Sequence, residues 1–358
     1  MKLSTLGRIL LGTTVAQAAT INYSTVTGYF MQDEESTDAS KFDYTSENFG
    51  LINRTYPVDN KLKGHKSLTQ WERFHHQVTQ LNDEAPNHIE YKVLFLGRHG
   101  EGWHNTAESY YGTPAWNCYW AELDGNGTAS WVDATLTPTG ESQALKANAF
   151  WQKQIHEQRI HTPDHYYVSP LTRTLQTANL TFTGLVLPKG SAPFKPTVKE
   201  LFREGISIHT CDHRRSRSYI HDLFPNWPIE EGFSEEDELW DGVTAESADA
   251  QDARSAQALG QVFFASSGKK EAFVSVTAHS GEIASILRVL KHREFSLNTG
   301  AVIPVLVKAE KVEHGASTTS SVPWTVSPHC TEPPVTSVSA CVCPSSAVPV
   351  TTVLATGV

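Results

Sequence analysis

Residues 93–101 read Val-Leu-Phe-Leu-Gly-Arg-His-Gly-Glu, an apolar strand that stops abruptly in an arginine, a histidine and a glycine. Apolar residues at successive positions leave no polar face, so the strand must be covered on both sides, as a central strand of a parallel sheet is. Open sheets of that kind bind ligands beyond the carboxyl ends of their strands. His99 therefore lies where a site would form. Further extended runs at 166–168, 198–202, 273–278 and 301–307 alternate with helical stretches over 137–159, 171–181 and 244–266 and one ending near 290. Thr137 followed by Pro138 is a helix start, because the hydroxyl can accept a free backbone N–H and proline lacks the N–H that would go unpaired. The alternation predicts an α/β fold, a three-layer αβα sandwich with a mostly parallel central sheet. A stretch rich in Gly, Trp and Asn follows the first strand, and a loop-rich insertion reaches about residue 239.

With 358 residues, 39% of them hydrophobic, the chain can bury a sizeable core. Its formal net charge is -10 and it has no Lys/Arg-rich run, which argues against a nucleic-acid partner. Any positive charge that matters must be local. Lys2 and Arg8 precede Ile9-Leu10-Leu11 and Ala16-Gln17-Ala18, the order of a secretory signal peptide over 1–18. Sequons at Asn22, Asn53, Asn126 and Asn179 would then carry glycans, making the expectation a secreted glycoprotein, or a cytoplasmic protein if the leader is not a working signal. Beyond the leader no apolar stretch approaches the roughly 20 residues of a membrane span. The cysteines are Cys118, Cys211, Cys330, Cys341 and Cys343, an odd number that leaves one unpaired. Cys118 and Cys211 either bridge or serve as small buried side chains, and Cys341-Val342-Cys343 lacks the second ligand pair of a zinc site. The main domain is assigned to 19–312. Residues 313–358, rich in Ser, Thr, Pro and Val and nearly uncharged, read as a disordered tail open to O-glycosylation or lipid anchoring.

Three strand ends carry polar groups suited to one ligand. Arg98 and His99 follow the first strand, Arg173 opens the helix after the second, and His279 follows the penultimate one. Two guanidiniums can grip a phosphate with forked hydrogen bonds, and helix N-termini near Pro170 and Ser280 would add backbone N–H groups. Neighbouring positive charge lowers a histidine's pKa, so His99 should be neutral and keep a lone pair for attack on phosphorus.

Arg98-His99-Gly100-Glu101-Gly102-Trp103-His104-Asn105 resembles the R-H-G-E-x-x-x-N signature of the histidine phosphatase superfamily, on its phosphoglycerate mutase-like side. Ser169-Pro170-Leu171-Thr172-Arg173-Thr174-Leu175-Gln176-Thr177 is similar to the family's S-P-x-x-R-x-x-Q-T element, and Ala278-His279-Ser280-Gly281 to its second-histidine element. The likeness spans about 91–310. Residues 91–122, 209–214 and 236–240 resemble more closely a fungal phosphoglycerate mutase-like group. The resemblance implies a phosphoglycerate mutase-like fold in which His99 is phosphorylated, Arg98 and Arg173 hold phosphoryl oxygens, and His279, protonated or hydrogen-bonding, completes the pocket. Asn105, Glu101 and Ser280 fall at substrate-binding positions. The family's acid follows a mid-chain strand, where Glu204 stands, with Glu101 as rival. No cofactor or metal is implied: His104, His209 and His213 show no carboxylate-bracketed spacing, and arginines would bear the phosphate charge. Trp103, Trp116, Trp120 and Trp131 are expected to pack under the long loop.

Two departures bear on the reaction. Phytase-like members show R-H-G-x-R-x-P and a His-Asp pair, whereas this chain has Gly102-Trp103-His104 and His279-Ser280. The extra basic residues of glycolytic mutases are not matched, leaving only Arg214, Arg215 and Arg217 as candidates for substrate charge. The expectation is a phosphomonoester hydrolase acting on a small molecule through a phosphohistidine. The alternatives are a phosphoglycerate-type mutase and a non-catalytic phosphate-ligand binder on the same fold; oligomeric state is not readable.

Overall fold

The computed structural model describes residues 20–62, 64–264, 271–312, 324–327, 329–335 and 340–343. In chain order the elements are β1 (Thr20–Thr25), α1 (Gln70–Glu84), β2 (Ile89–Arg98), α2 (Trp103–Tyr111), α3 (Thr113–Cys118), α4 (Pro138–Lys153), β3 (His165–Val168) and α5 (Thr172–Phe182). They continue with β4 (Thr197–Val198), α6 (Arg217–Leu223), β5 (Thr244–Ala245), α7 (Ala248–Gly260), β6 (Phe273–Ala278), α8 (Ser280–Val289), β7 (Val302–Val312) and β8 (Thr325–Val326). Six strands form one sheet in the order β1-β7-β2-β6-β3-β4. The β2, β6, β3 and β4 strands run parallel, while β7 returns antiparallel beside β2 and β1 pairs antiparallel with β7. The sheet is mixed, its antiparallel part confined to one edge.

The β2 run explains the layering. Successive side chains on a strand point to opposite faces. Val93 and Phe95 join Trp71, Phe74, Phe150, Trp151 and Phe182 from α1, α4 and α5, whereas Leu94 and Leu96 join Leu259, Ile283, Ile286 and Leu287 from α7 and α8. Both faces are thus covered by helices. A third cluster, Tyr111, Trp116, Trp120 and Trp131 with Trp103 against it, packs the long stretch after β2, where the sequence places its tryptophans.

Several boundaries differ from the sequence reading. The expected strand over 198–202 stops at Val198, and Glu200–Phe202 forms a tight 3-10 turn that redirects the chain toward the carboxyl edge of the sheet. The expected helix over 244–266 starts at Ala248, because Ser247 Oγ caps it by accepting from Ala250 N (3.2 Å) while Thr244 and Ala245 pair with β8. α4 ends in a wider π turn at Gln154–Gln158. α1 is a helix that periodicity alone did not reveal; a capping box starts it, with Thr69 Oγ1 accepting from Glu72 N (3.2 Å) and Glu72 Oε2 accepting from Thr69 N (2.8 Å).

The proposed leader at 1–18 lies outside the described residues, as does much of the 313–358 tail. The described parts of that tail correct the expectation of disorder for those residues. β8 pairs with β5, Cys330 N donates to Cys118 O (2.8 Å), and disulfides join Cys118 to Cys341 and Cys330 to Cys343. A low-complexity segment that cannot bury a core of its own is held here by covalent links. The bridge weighed between Cys118 and Cys211 does not form; Cys211 is a buried free thiol. Among the described residues no helix is long and apolar enough to cross a membrane.

Candidate active site

The carboxyl ends of β2, β3 and β6 bring the motif residues together. His99 follows β2, its N–H donating to Ala278 O (3.0 Å) across the sheet. Gly100 is required at the next position: a Cβ there would lie 2.4 Å from Gly140 O, where the turn presses against the first turn of α4. The His99 ring is almost fully buried, and its Nδ1 lies 2.7 Å from Gly100 O. A carbonyl can only accept, so the ring proton sits on Nδ1 and Nε2 keeps its lone pair. Burial first, then the charges of Arg173 and Arg98, hold the His99 pKa well below the usual histidine range. The neutral imidazole that the sequence suggested follows from both causes.

Arg173 is fixed on three sides. Its Nε donates to His279 Nδ1 (3.2 Å), Nη1 to Cys211 O (2.5 Å) and Nη2 to Asp212 Oδ1 (3.1 Å). Because Arg173 can only donate, the His279 proton sits on Nε2, which donates to Ser169 Oγ (2.7 Å). Burial and Arg173 push the His279 pKa well down, so it serves as a neutral hydrogen-bonding member and not a protonated one. The His99 and His279 rings lie 5.1 Å apart. Arg98 reaches over from the β2 end, donating from Nη1 to Leu297 O (2.8 Å), while its buried Nε has no hydrogen-bond partner among the described residues.

The helix N-termini do not cradle phosphate as the sequence suggested. Asp133 already occupies the start of α5, accepting from Thr172 N (2.8 Å) and Thr172 Oγ1 (2.5 Å). Glu204 occupies the start of α8: Oε1 accepts from Glu282 N (3.0 Å), and Oε2 from Gly281 N (3.2 Å) and Ser280 Oγ (3.4 Å). Both N-termini thus face carboxylates of this chain, so anion-binding charge must come from the arginines. Glu204 nonetheless stands where the family's acid is expected, one residue past the buried Arg203. The rival Glu101 is engaged elsewhere, its Oε1 accepting from Thr137 Oγ1 (2.7 Å) at the cap of α4. Asn105 Oδ1 accepts from Gly102 N (3.0 Å), so it caps α2 while also lining the cavity beside Arg98.

Two contributors went unassigned in the sequence. His104, considered there only as a metal ligand, packs its ring 5.2 Å from that of His99, and its buried Nδ1 has no partner among the described residues. Asp212 holds Arg173. Their only signal lay in the fungal-type segments around 91–122 and 209–214. His209, Cys211 and Asp212 present ligand atoms within 4.8 Å of one another, but Asp212 is bonded to Arg173 and burial raises the Cys211 thiol well above its usual range. Arg214, a candidate for substrate charge, is buried and bonded to Glu200 (2.8 Å), Ser234 (2.8 Å) and backbone carbonyls, so it braces the insertion. Arg215 lies 3.8 Å from Asp133.

Residues 94–303 match the family model "Histidine phosphatase superfamily (branch 1)". The chain is 49% identical over 317 residues to "Probable phosphoglycerate mutase" of Arthroderma benhamiae, covering 85% of this chain and 93% of that protein. It is 36% identical over 294 residues to "Phosphomutase-like protein 3" of Candida albicans, covering 80% of each. Among solved structures, a phosphoglycerate mutase from Bacillus anthracis aligns at 16% identity with a TM-score of 0.39, covering 63% of this chain and 95% of that one. The ordered motifs, the arginine-flanked imidazole they assemble and the identity to these relatives agree: the chain belongs to the histidine phosphatase superfamily, enzymes that work through a phosphohistidine.

Proposed function

We propose that the protein hydrolyses phosphomonoesters, with His99 as the nucleophile. The reading is carried by the His99 ring, proton pinned at Nδ1 by Gly100 O and Nε2 left free beside two guanidiniums. In the first step the Nε2 lone pair forms an N–P bond as the bond from phosphorus to the ester oxygen breaks. The leaving alkoxide takes a proton from Glu204, and Arg98 and Arg173 neutralise charge on the phosphoryl oxygens. In the second step water attacks phosphorus, its proton returns to Glu204, the N–P bond breaks and inorganic phosphate leaves. Asp212 and His279 keep the Arg173 fork aimed throughout.

Hydrolysis is favoured over mutase chemistry by the charges around the site. A mutase must retain a doubly phosphorylated intermediate, which calls for extra cations. The cavity on one side of Arg98 instead carries Glu101 and Glu108, and Arg214 is already bonded to Glu200. Water therefore meets the phosphoenzyme unopposed. The test is His99→Ala assayed on an aryl phosphate: turnover should vanish while circular dichroism stays unchanged, and turnover retained by a folded variant would refute the assignment. Wild-type enzyme should release free phosphate from the aryl ester, whereas conversion of 3-phosphoglycerate to its isomer would establish a mutase. Vanadate binding without any acid-labile phosphoenzyme would establish a binding protein.

A further inference from the structure

Two cavities flank Arg98, and they differ in character. One, about 490 Å³, is lined by Glu101, Asn105 and Glu108. The other, about 360 Å³, lies between α8 and the loop that leads to β7, with Arg98 and Ser280 among the residues that line it. Its walls include Ile283, Leu287, Phe295 and Leu297, side chains otherwise buried in the core. On its rim Arg288 donates to Asp252 (2.6 Å), Arg293 lies 3.5 Å from Glu35 with its Nε outside hydrogen-bond geometry, and the exposed Glu294 adds a negative charge.

We propose that this second cavity is the leaving-group subsite, and that it selects phosphomonoesters of uncharged alcohols bearing an apolar ring or chain. The inference rests on the hydrolase reading. Its direction comes from the acid. Whatever protonates the departing oxygen must stand beside it, and Ser280, which lines this cavity, donates to Glu204 Oε2 (3.4 Å). Glu204 lines neither cavity, and Ser280, its hydrogen-bond partner, lines this one and not the larger. An alcohol leaving toward Ser280 thus enters a mixed cavity in which Ile283, Leu287, Phe295 and Leu297 supply the apolar part of the wall. The volume sits at the lower end of the roughly 300–1,000 Å³ typical of small-molecule pockets, room for a group of about one ring. A carboxylate or second phosphate placed there would lose its hydration and meet Glu294 and the pair Arg288 makes with Asp252, so phosphoglycerate is a poor occupant.

The experiment compares two primary alkyl esters whose leaving groups are of similar basicity, 2-phenylethyl phosphate and ethyl phosphate. Wild-type kcat/KM should favour the phenylethyl ester by at least about tenfold, as an added apolar group in a fitting pocket does. Ala284, exposed on α8 and lining the cavity, is replaced by Trp to fill it. Ala284→Trp should erase the preference, bringing kcat/KM for the phenylethyl ester down toward that for ethyl phosphate. Ser296→Trp, from the opposite wall and also exposed, repeats the test if the first variant does not fold. Equal kcat/KM for the two esters in wild-type enzyme, or a preference that survives both tryptophans, overturns the subsite. If wild-type enzyme releases phosphate from neither ester, the hydrolase reading fails instead. The subsite is then read by calorimetry, where 2-phenylethyl phosphate must still bind at least about tenfold more tightly than ethyl phosphate, and equal affinities refute it.

Discussion

At the scale of single residues, the site depends on close approach and on buried neutral imidazoles. Gly100→Ala places a methyl group 2.4 Å from Gly140 O, backbone that cannot yield without shifting the start of α4. Overpacking of this kind costs about 1–3 kcal/mol; urea titration should show that loss, with kcat/KM falling because His99 moves with the turn. Burial, before any neighbouring charge, holds the pKa values of His99, His104 and His279 well below the ordinary 6.5. For each the unfolded chain binds a proton that the folded one refuses. Their contribution to stability is therefore complete above pH 6.5 and is lost as pH falls below it, by about 1.4 kcal/mol per pH unit per histidine. Thermal melts across pH 4.5–8 should show the fall, and His104→Phe should flatten its slope by the share of one histidine. The same shift keeps His99 unprotonated, so its own titration should not limit kcat/KM until well below pH 6.5. Arg98, His99, Arg173 and His279 were legible because each sits in an ordered motif at a strand end. His104 and Asp212 were not, since nothing local reveals that a histidine five residues on, or an aspartate in a distant insertion, folds against the pair.

Among elements, the turn that bears Glu204 is held by α7, which the sequence marked only as a helical stretch over 244–266. Arg254 of α7 donates to Leu201 O (2.8 Å), Arg203 O (3.0 Å) and Glu204 O (3.2 Å), and is paired with Glu246 and Glu282. Its guanidinium thus supplies the donors that a strand partner would have supplied had the extended run continued past Val198. Removing one partner of a buried ion pair costs about 3–5 kcal/mol. Arg254→Met should lose that much in chemical denaturation. Glu282→Gln should lose far less at pH 7, because burial raises Glu282 to about 8 despite Arg254 at 3.0 Å, leaving it largely protonated already. Equal losses in the two variants would show that Glu282 is ionised. The sequence located Glu204 through the family's acid position; the arginine that holds it depends on a contact fifty residues away.

Over the whole molecule, the C-terminal segment is the part most changed by tertiary structure. The Cys118–Cys341 bridge spans 223 residues and Cys330–Cys343 spans 13, and together they fasten the segment to α3 and its tryptophan cluster. A bridge closing a long loop contributes typically about 2–4 kcal/mol, mainly by restricting the unfolded chain. Calorimetry with and without dithiothreitol should show a lower Tm on reduction, and Cys341→Ser should reproduce most of it. Identical melts would mean that the segment hangs free, as its composition alone suggests. Cys211, buried and with its thiol raised, should resist alkylation in both states.

The sequence alone marked the doubly covered central strand and the residues that stand at the strand ends, because an apolar run and the motifs that close it are local patterns. Tertiary structure decided which carboxylates take the helix N-termini, which cavities open beside Arg98, and where the last cysteines attach. Those outcomes join residues tens to hundreds of positions apart, and no periodicity or spacing records the distance between them.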